Sequence, residues 1–329
     1  MRRTILKAIP AALYASVAAP GLLASRAASA TEAAWPAKPI RLMVPAVPGA
    51  GSDSTARIIA QTVSERLGQP IIVENKPGGS GTVAASVGLL APADGYTFIY
   101  CIPSTQIIPP KSVRYDPLKD LIPVSLAVSA SFILVVNPSL PYRSLEDLVN
   151  AAKVSPGSIN YGSSGTGTFG HLLGASFGLA TRTDLTHIPF TSEPPVTTAI
   201  IGGELQMAFI SSSVSLPLIQ GGKLRALGVS SAKRMAGIPN NIPLVSETVP
   251  GYDMATFNYI SARAGTPRPI VEKMSKAITE TMADPAVRER FYARGLNPGG
   301  GSPEDLGKLI GAERLKLTDL IQKANIVLA

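Results

Sequence analysis

The amino-acid sequence predicts an α/β protein of two hinged lobes that close around a ligand, and three observations carry that expectation. Apolar runs of strand length alternate with helix-length runs, the pattern of parallel sheets covered on both faces. The alternation stops at a proline-rich stretch, 103–123, restarts, and ends in a helical tail. Two turns of small and hydroxyl residues, 45–53 and 162–168, each stand between a strand-like and a helix-like run.

The elements follow in order. An extended lead-in from Trp35 precedes a buried strand at Ile40–Val44 and a helix over 55–67, apolar at Ile58, Ile59, Val63 and Leu67 and stopped by Gly68. A strand at 70–75, the loop from Lys76 to Gly81, a helix at 82–91 and a strand at 96–102 complete the first unit. Two strands are expected at 124–128 and 132–137, then a helix over 145–153 with Ser144 and Asp147 at its N-terminus. Strands at 159–162, 185–190, 205–210 and 224–230 enclose helices at 169–180, 195–201 and 214–220. A further run at 254–262 precedes the tail, which reads as entirely helical over 267–282, 285–294 and 303–325, each segment opening on a proline. The first lobe is expected over 31–130 and 257–329 and the second over 131–256, with crossings near 129–131 and 256–259.

Each turn leaves backbone N–H groups at a helix N-terminus, where the helix dipole also favours negative charge. One such turn on each lobe would grip a small anion from two sides. The first turn contributes Ala46, Pro48, Gly49, Ser52 and Asp53. The second contributes Ser163, Ser164, Gly165, Thr166 and Thr168. Asp53 reads both as a helix N-cap and as a carboxylate facing the polar end of a ligand. Its replacement by alanine is expected to weaken binding without unfolding the protein.

The first thirty residues are basic at Arg2, Arg3 and Lys7, then apolar and alanine-rich, with Ala28-Ser29-Ala30 as a small-x-small cleavage site. They read as an export signal cut near Ala30, by the general or the twin-arginine route, and place the mature protein in the periplasm. Without them the basic residues fall from 30 to 26 against 22 acidic ones, and the net charge from +8 to +4. The remaining bases form no stripe interleaved with aromatics, which argues against nucleic-acid binding. Cys101 is the only cysteine, so no intrachain disulfide can form, and it reads as a small buried hydrophobe. His171 and His187 have no ligand-type neighbour at metal spacing, so neither a metal nor a cofactor is expected.

Two enzyme patterns compete with this expectation. Gly165-Thr166-Gly167-Thr168-Phe169-Gly170 matches the dinucleotide pattern G-x-G-x-x-G, but the strand that follows ends in Phe190-Thr191 without the acid such a site needs. A serine hydrolase using Ser163 or Ser164 is the alternative function. Gly162-Ser163-Ser164-Gly165-Thr166 lacks the second glycine of the nucleophile elbow, and a triad would have to recruit His171 or His187. The preferred expectation is a protein with no catalytic residues.

An ordered series of motifs adds a family resemblance. Trp35-Pro36-x-Lys38-Pro39-Ile40, Val44-Pro45-x-x-Pro48-Gly49-x-Gly51-x-Asp53-x-x-Ala56-Arg57 and Val73-Glu74-Asn75-Lys76-Pro77-Gly78 open it. Asp94-Gly95-Tyr96-Thr97, Tyr115-Asp116-Pro117-x-Lys119-Asp120 and Val135-Val136-Asn137-Pro138 follow. Asn160-Tyr161-Gly162-Ser163-Ser164-Gly165, Gly222-Lys223-Leu224-Arg225-Ala226-Leu227 and Ala264-Gly265-Thr266-Pro267 close it. Over residues 35–329 the chain resembles the substrate-binding proteins of tripartite tricarboxylate transporters, the Bug receptors.

The resemblance implies a type II periplasmic-binding-protein fold, the Venus flytrap, and capture of a small organic carboxylate or a related amide or aromatic acid. Some members of that family deliver their ligand to a membrane permease of the tripartite type, whereas many have no adjacent transporter; a monomer is expected. The resemblance also implies that backbone N–H groups, hydroxyls and ordered water from the two turns hold the ligand carboxylate. Phe190, Ser211 and Ser104 join the expected ligand-binding set. Where the family carries an aromatic-Lys-Gly segment, this chain has Phe190-Thr191-Ser192 followed by Glu193-Pro194-Pro195. The run Ser211-Ser212-Ser213 stands where the family often bears Asp or Asn. The distal pocket wall is therefore expected to be rich in hydroxyls and less charged than usual.

Overall fold

The computed structural model describes residues 35–327 except 110 and 112, so the expected export signal lies outside the described residues. Three parallel strands, β1 (Ile40–Val44), β2 (Ile71–Asn75) and β3 (Thr97–Cys101), start the first sheet in the order β2-β1-β3. Helices α1 (Gly51–Leu67) and α2 (Thr82–Leu89) make the crossovers. Gly68 ends α1 in the left-handed conformation and returns its N–H to the Ser64 carbonyl at 2.9 Å. In β1, Ile40, Leu42 and Val44 face one layer of core and Met43 the other, the period-2 pattern of a doubly covered strand.

After a short helix, α3 (Pro103–Gln106), comes β4 (Leu121–Val136), sixteen residues long. It replaces the two strands expected at 124–128 and 132–137. Ser129-Ala130-Ser131 read as a break because they are small and polar, yet their backbone stays in the ladder between two other strands. Ser131 is buried and places its hydroxyl 2.6 Å from that of Ser231.

The second α/β unit contains α4 (Leu145–Val154), β5 (Ile159–Ser163), α5 (Phe169–Thr181), β6 (Leu185–Pro189), α6 (Glu193–Ile201), β7 (Met207–Ser211), α7 (Ser212–Gln220), β8 (Arg225–Val229) and α8 (Val245–Thr248). Ser144 and Asp147 form the expected capping box at the start of α4. Strands β7, β5 and β6 run parallel in that order, while β7 and β8 both pair antiparallel with the C-terminal part of β4.

The chain returns through β9 (Ala255–Arg263), which pairs antiparallel with both β3 and β4. The two expected crossing segments are partners in this ladder, Ser129 with Phe257 and Ala130 with Thr256. The tail comprises α9 (Arg268–Ala283), α10 (Pro285–Tyr292), β10 (Leu296–Gly300) and α11 (Pro303–Lys323). Strand β10 corrects the all-helical expectation. Its Asn-Pro-Gly-Gly sequence has no strand propensity, but β4 offers an open edge that takes Leu296 opposite Ala130. Helix α11 packs Leu306, Ile310 and Leu317 into a core layer that runs from Met43 and Ile99 under the first sheet to Tyr161 and Phe209 under the second. Cys101 is fully buried in this layer, and burial pushes its thiol pKa up to about 12. It is a small hydrophobe, as expected.

Candidate ligand-binding site

The first turn leads from β1 into α1. Ala50 is the residue before the helix, and no side chain caps it. The first three helical N–H groups, those of Gly51, Ser52 and Asp53, have no intrahelical acceptor and find no other among the described residues. Asp53 is the third helical residue rather than the N-cap, and it is 2% exposed. One carboxylate oxygen accepts from the Gly49 N–H at 2.8 Å and from Arg57 Nε at 2.9 Å. The other accepts from Asn75 Nδ2 at 2.8 Å, and the same amide also donates to the Ala46 carbonyl.

Burial works to raise the Asp53 pKa, but the bonds from Arg57, Asn75 and Gly49 outweigh it and leave the carboxyl below its usual range. Asp53 therefore holds the turn from behind. Ala46 packs on the core beneath it, while Pro48 and Gly49 (φ +84°) are exposed on its outer side.

The second turn leads from β5 into α5, again with no side-chain cap at Thr168. Gly165 takes φ +126°, a conformation open to glycine, and its carbonyl accepts the Thr168 N–H at 3.2 Å and hydroxyl at 2.7 Å. Ser164 is partly exposed and Thr166 exposed. Ser163 is 2% exposed, and its hydroxyl is fully engaged. It lies 3.0 Å from the Gly165 carbonyl, 3.2 Å from the Gly165 N–H and 2.7 Å from His187 Nε2.

The contact between Ser163 and His187 is one of the pairings that the hydrolase alternative would need. The Ser163 hydroxyl has a second acceptor in the Gly165 carbonyl, at 3.0 Å. With the hydroxyl proton on the Gly165 carbonyl, His187 donates to Oγ instead of accepting from it. No carboxylate orients His187 among the described residues. His187 stacks instead on His171, centroids 3.7 Å apart and planes 5° from parallel, and His171 Nδ1 accepts the Gly167 N–H at 3.0 Å. The two histidines brace the second turn from below.

Burial and the neighbouring His171 lower the His187 pKa from 6.5 to about 4, and burial lowers that of His171 as well. The folded protein thus binds protons less readily here than the unfolded chain. The stability contributed by the neutral pair is complete above pH 6.5 and is lost as pH falls toward 4. Discounted for partial exposure, the loss is about 1–2 kcal/mol. Protonated His171 also gives up its bond from Gly167, so ligand affinity should fall over the same window. Urea titrations at pH 7 and pH 4.5, on the protein and on His187→Gln, check this. A wild-type difference no larger than that of the variant refutes it.

Strands β7, β5 and β6 end side by side at Ser211, Ser163 and Pro189, so the N-termini of α7, α5 and α6 open at one end of the second sheet. The Phe190 N–H donates to the Ser163 carbonyl at 2.8 Å, and its own carbonyl lies against Gly165. Ser211 receives a partner that the sequence reading left unassigned. Glu193 accepts from the Ser211 N–H at 2.9 Å and from its hydroxyl at 2.8 Å. Burial raises the Glu193 pKa above its ordinary value, and these two bonds offset that only in part. The wall expected to be rich in hydroxyls and low in charge thus contains a carboxylate. Ser213 faces the first turn, its Oγ 3.8 Å from where a Cβ on Gly51 would stand. Ser104 lies in α3, and its side chain is outside the described residues.

Two open helix N-termini, reached from two α/β units joined by paired strands, define a two-lobed periplasmic binding protein of type II. Comparison with known proteins makes this specific. The model of the tripartite tricarboxylate transporter family receptor matches residues 55–326, and the chain belongs to that family, the Bug receptors. A UPF0065 protein of Bordetella bronchiseptica is 34% identical over 311 residues, covering 94% of this chain and 92% of that one. A protein of R. palustris solved with adipate is 32% identical with a TM-score of 0.82, over 89% of this chain and 99% of its own. The periplasmic binding protein BugD is 25% identical with a TM-score of 0.78, over 89% and 99%. The protein is accordingly a periplasmic, non-catalytic receptor for a small organic acid.

Proposed function

We propose that the two turns hold the ligand by its carboxylate. The N–H groups of Gly51, Ser52 and Asp53 serve from the first turn, and those of Ser164, Thr166 and the start of α5 from the second. The observation that carries this reading is the pair of helix N-termini left without side-chain caps. Neither turn contains Lys or Arg, so N–H and O–H donors with bridging water do the work of an ion pair. Ser52, Ser164 and Thr168 add hydroxyls, with Ala46, Pro48, Gly49, Gly165, Phe190, Ser211 and Ser104 shaping the walls. Asp53 and Ser163 act from behind the turns.

Closure would pivot on the paired segments 129–131 and 255–257, with 31–130 and 257–329 as one lobe and 131–256 as the other. The receptor would act as a monomer and hand its ligand to a membrane permease of the tripartite type. The adipate-bound relative makes short-chain aliphatic acids the first class to try.

The test is a thermal-shift screen of residues 31–329, unfolded and refolded to strip captured ligand, against mono-, di- and tricarboxylates and aromatic acids. A hundredfold excess over the dissociation constant stabilises by about 2.7 kcal/mol, so one series should raise Tm with dose. A flat response to every carboxylate overturns the reading.

A further inference from the structure

We propose that Glu193 reads the far end of the ligand, accepting a hydrogen-bond donor there (an amide, hydroxyl or ammonium) and turning away a second carboxylate. The inference rests on the two-turn reading and concerns selectivity among the acids that the turns can hold.

The topology places the carboxylate in the ligand's way. Glu193 opens α6, which follows β6, whereas its partner Ser211 ends β7. These strands lie on opposite sides of β5. The bonds from Ser211 to Glu193, at 2.9 and 2.8 Å, therefore bridge the C-terminal end of β5, where the second turn begins. Ser211 Oγ is also 3.4 Å from Ser213 Oγ, and Ser213 faces Gly51 at the start of α1. Glu193 thus sits in a chain of contacts that runs from the second lobe to the first turn. As a residue it is only partly buried.

The chemistry of this corner differs from that of its neighbours. The N-termini of α5 and α7 present N–H groups and serine or threonine hydroxyls. Helix α6 instead presents Glu193 followed by Pro194 and Pro195, which remove the next two N–H donors. Ser211 supplies two donors to the carboxylate and leaves lone pairs on both oxygens for a donor from the ligand. A ligand carboxylate placed here meets a like charge with no cation in either turn to offset it, a juxtaposition that works strongly against binding.

The test compares each aliphatic dicarboxylate from succinate to adipate with its own monoamide, by calorimetry on the wild-type protein and on Glu193→Gln. The glutamine keeps the shape and removes the charge. Wild-type protein should bind the best monoamide at least about tenfold more tightly than the matching dicarboxylate. In Glu193→Gln that ratio should fall below about threefold, mainly because the dicarboxylate gains. An equal ratio in both proteins overturns the proposal, even if the variant melts lower, because Glu193 would then only fix Ser211. Tighter binding of the dicarboxylate by the wild type overturns it as well. In both cases the two-turn reading stands, since the acids bind. Absence of binding by every acid and amide to both proteins overturns the two-turn reading and this inference with it.

Discussion

Asp53→Ala is expected to lower ligand affinity about 100-fold and stability by about 2–4 kcal/mol. The carboxylate is 2% exposed and accepts three hydrogen bonds, from Gly49, Arg57 and Asn75. Alanine leaves the Gly49 N–H without its acceptor and Arg57 without its ion partner. Asn75 keeps its bond to the Ala46 carbonyl and the one its Oδ1 accepts from Arg57. The exposed Arg57 end contributes little, because water screens it. The larger loss is at the buried end, where the start of α1 is no longer tied to Asn75 in β2 or to Gly49 in the turn. The N–H groups of Gly51 and Ser52 then lose the fixed geometry that makes them useful to an anion.

A domain of this size should melt about 5 °C lower, and Asp53→Asn, which keeps one acceptor, should fall between the two. Thermal melts with calorimetry on any acid that binds the wild type check both effects. Unchanged affinity beside a lower Tm would leave Asp53 a role in stability alone. Full stability beside lost affinity would make it a direct ligand contact, contrary to its burial.

The second large effect comes from one methyl group. A Cβ at Gly174, in the middle of α5, would lie 2.1 Å from the Tyr161 ring. That ring is 3% exposed and packs against His187, with centroids 5.0 Å apart. It has nowhere to move, so Gly174→Ala must push α5 off β5. Overpacking of this kind costs about 3 kcal/mol, against a gain of about 1 kcal/mol from helix propensity. Because the N-terminus of α5 forms part of the second turn, ligand affinity should fall with stability.

Gly311→Ala in α11 is the control. No atom lies within 4 Å of its Cβ position, so only the propensity gain applies. Urea titrations of the two variants should move in opposite directions. A Gly174→Ala protein as stable as the wild type would mean that Tyr161 has room the structure does not show.

Much of this was legible in the sequence. The alternation of apolar runs located β1, α1, β5 and α5, and the small-residue turns between them marked the open helix ends. Local chemistry was enough there, since strand period, proline at a first helical turn and a Ser144–Asp147 capping box are written in neighbouring residues. Three features were not legible, two of them for a common reason. Strand β4 continues through Ser129-Ala130-Ser131, and β10 forms from Asn-Pro-Gly-Gly, because ladder partners more than a hundred residues away supply the hydrogen bonds that local propensity does not predict. Asp53 carried the mark of a cap, but Asn75 and Arg57 converted it into the anchor of its turn.

The sequence by itself determined the α/β class, the two turns, the absence of Lys and Arg from them and the family of the receptor. These depend on residue type and order, which short-range physics can read. Only the tertiary structure decided what stands behind and beside the turns. It stacked His171 on His187 under the second turn, closed the Ser163 hydroxyl into a satisfied network, and carried Glu193 across the end of β5 to Ser211. Those contacts join residues on different strands and helices. Their geometry follows from strand order and register, which neighbouring residues alone do not specify.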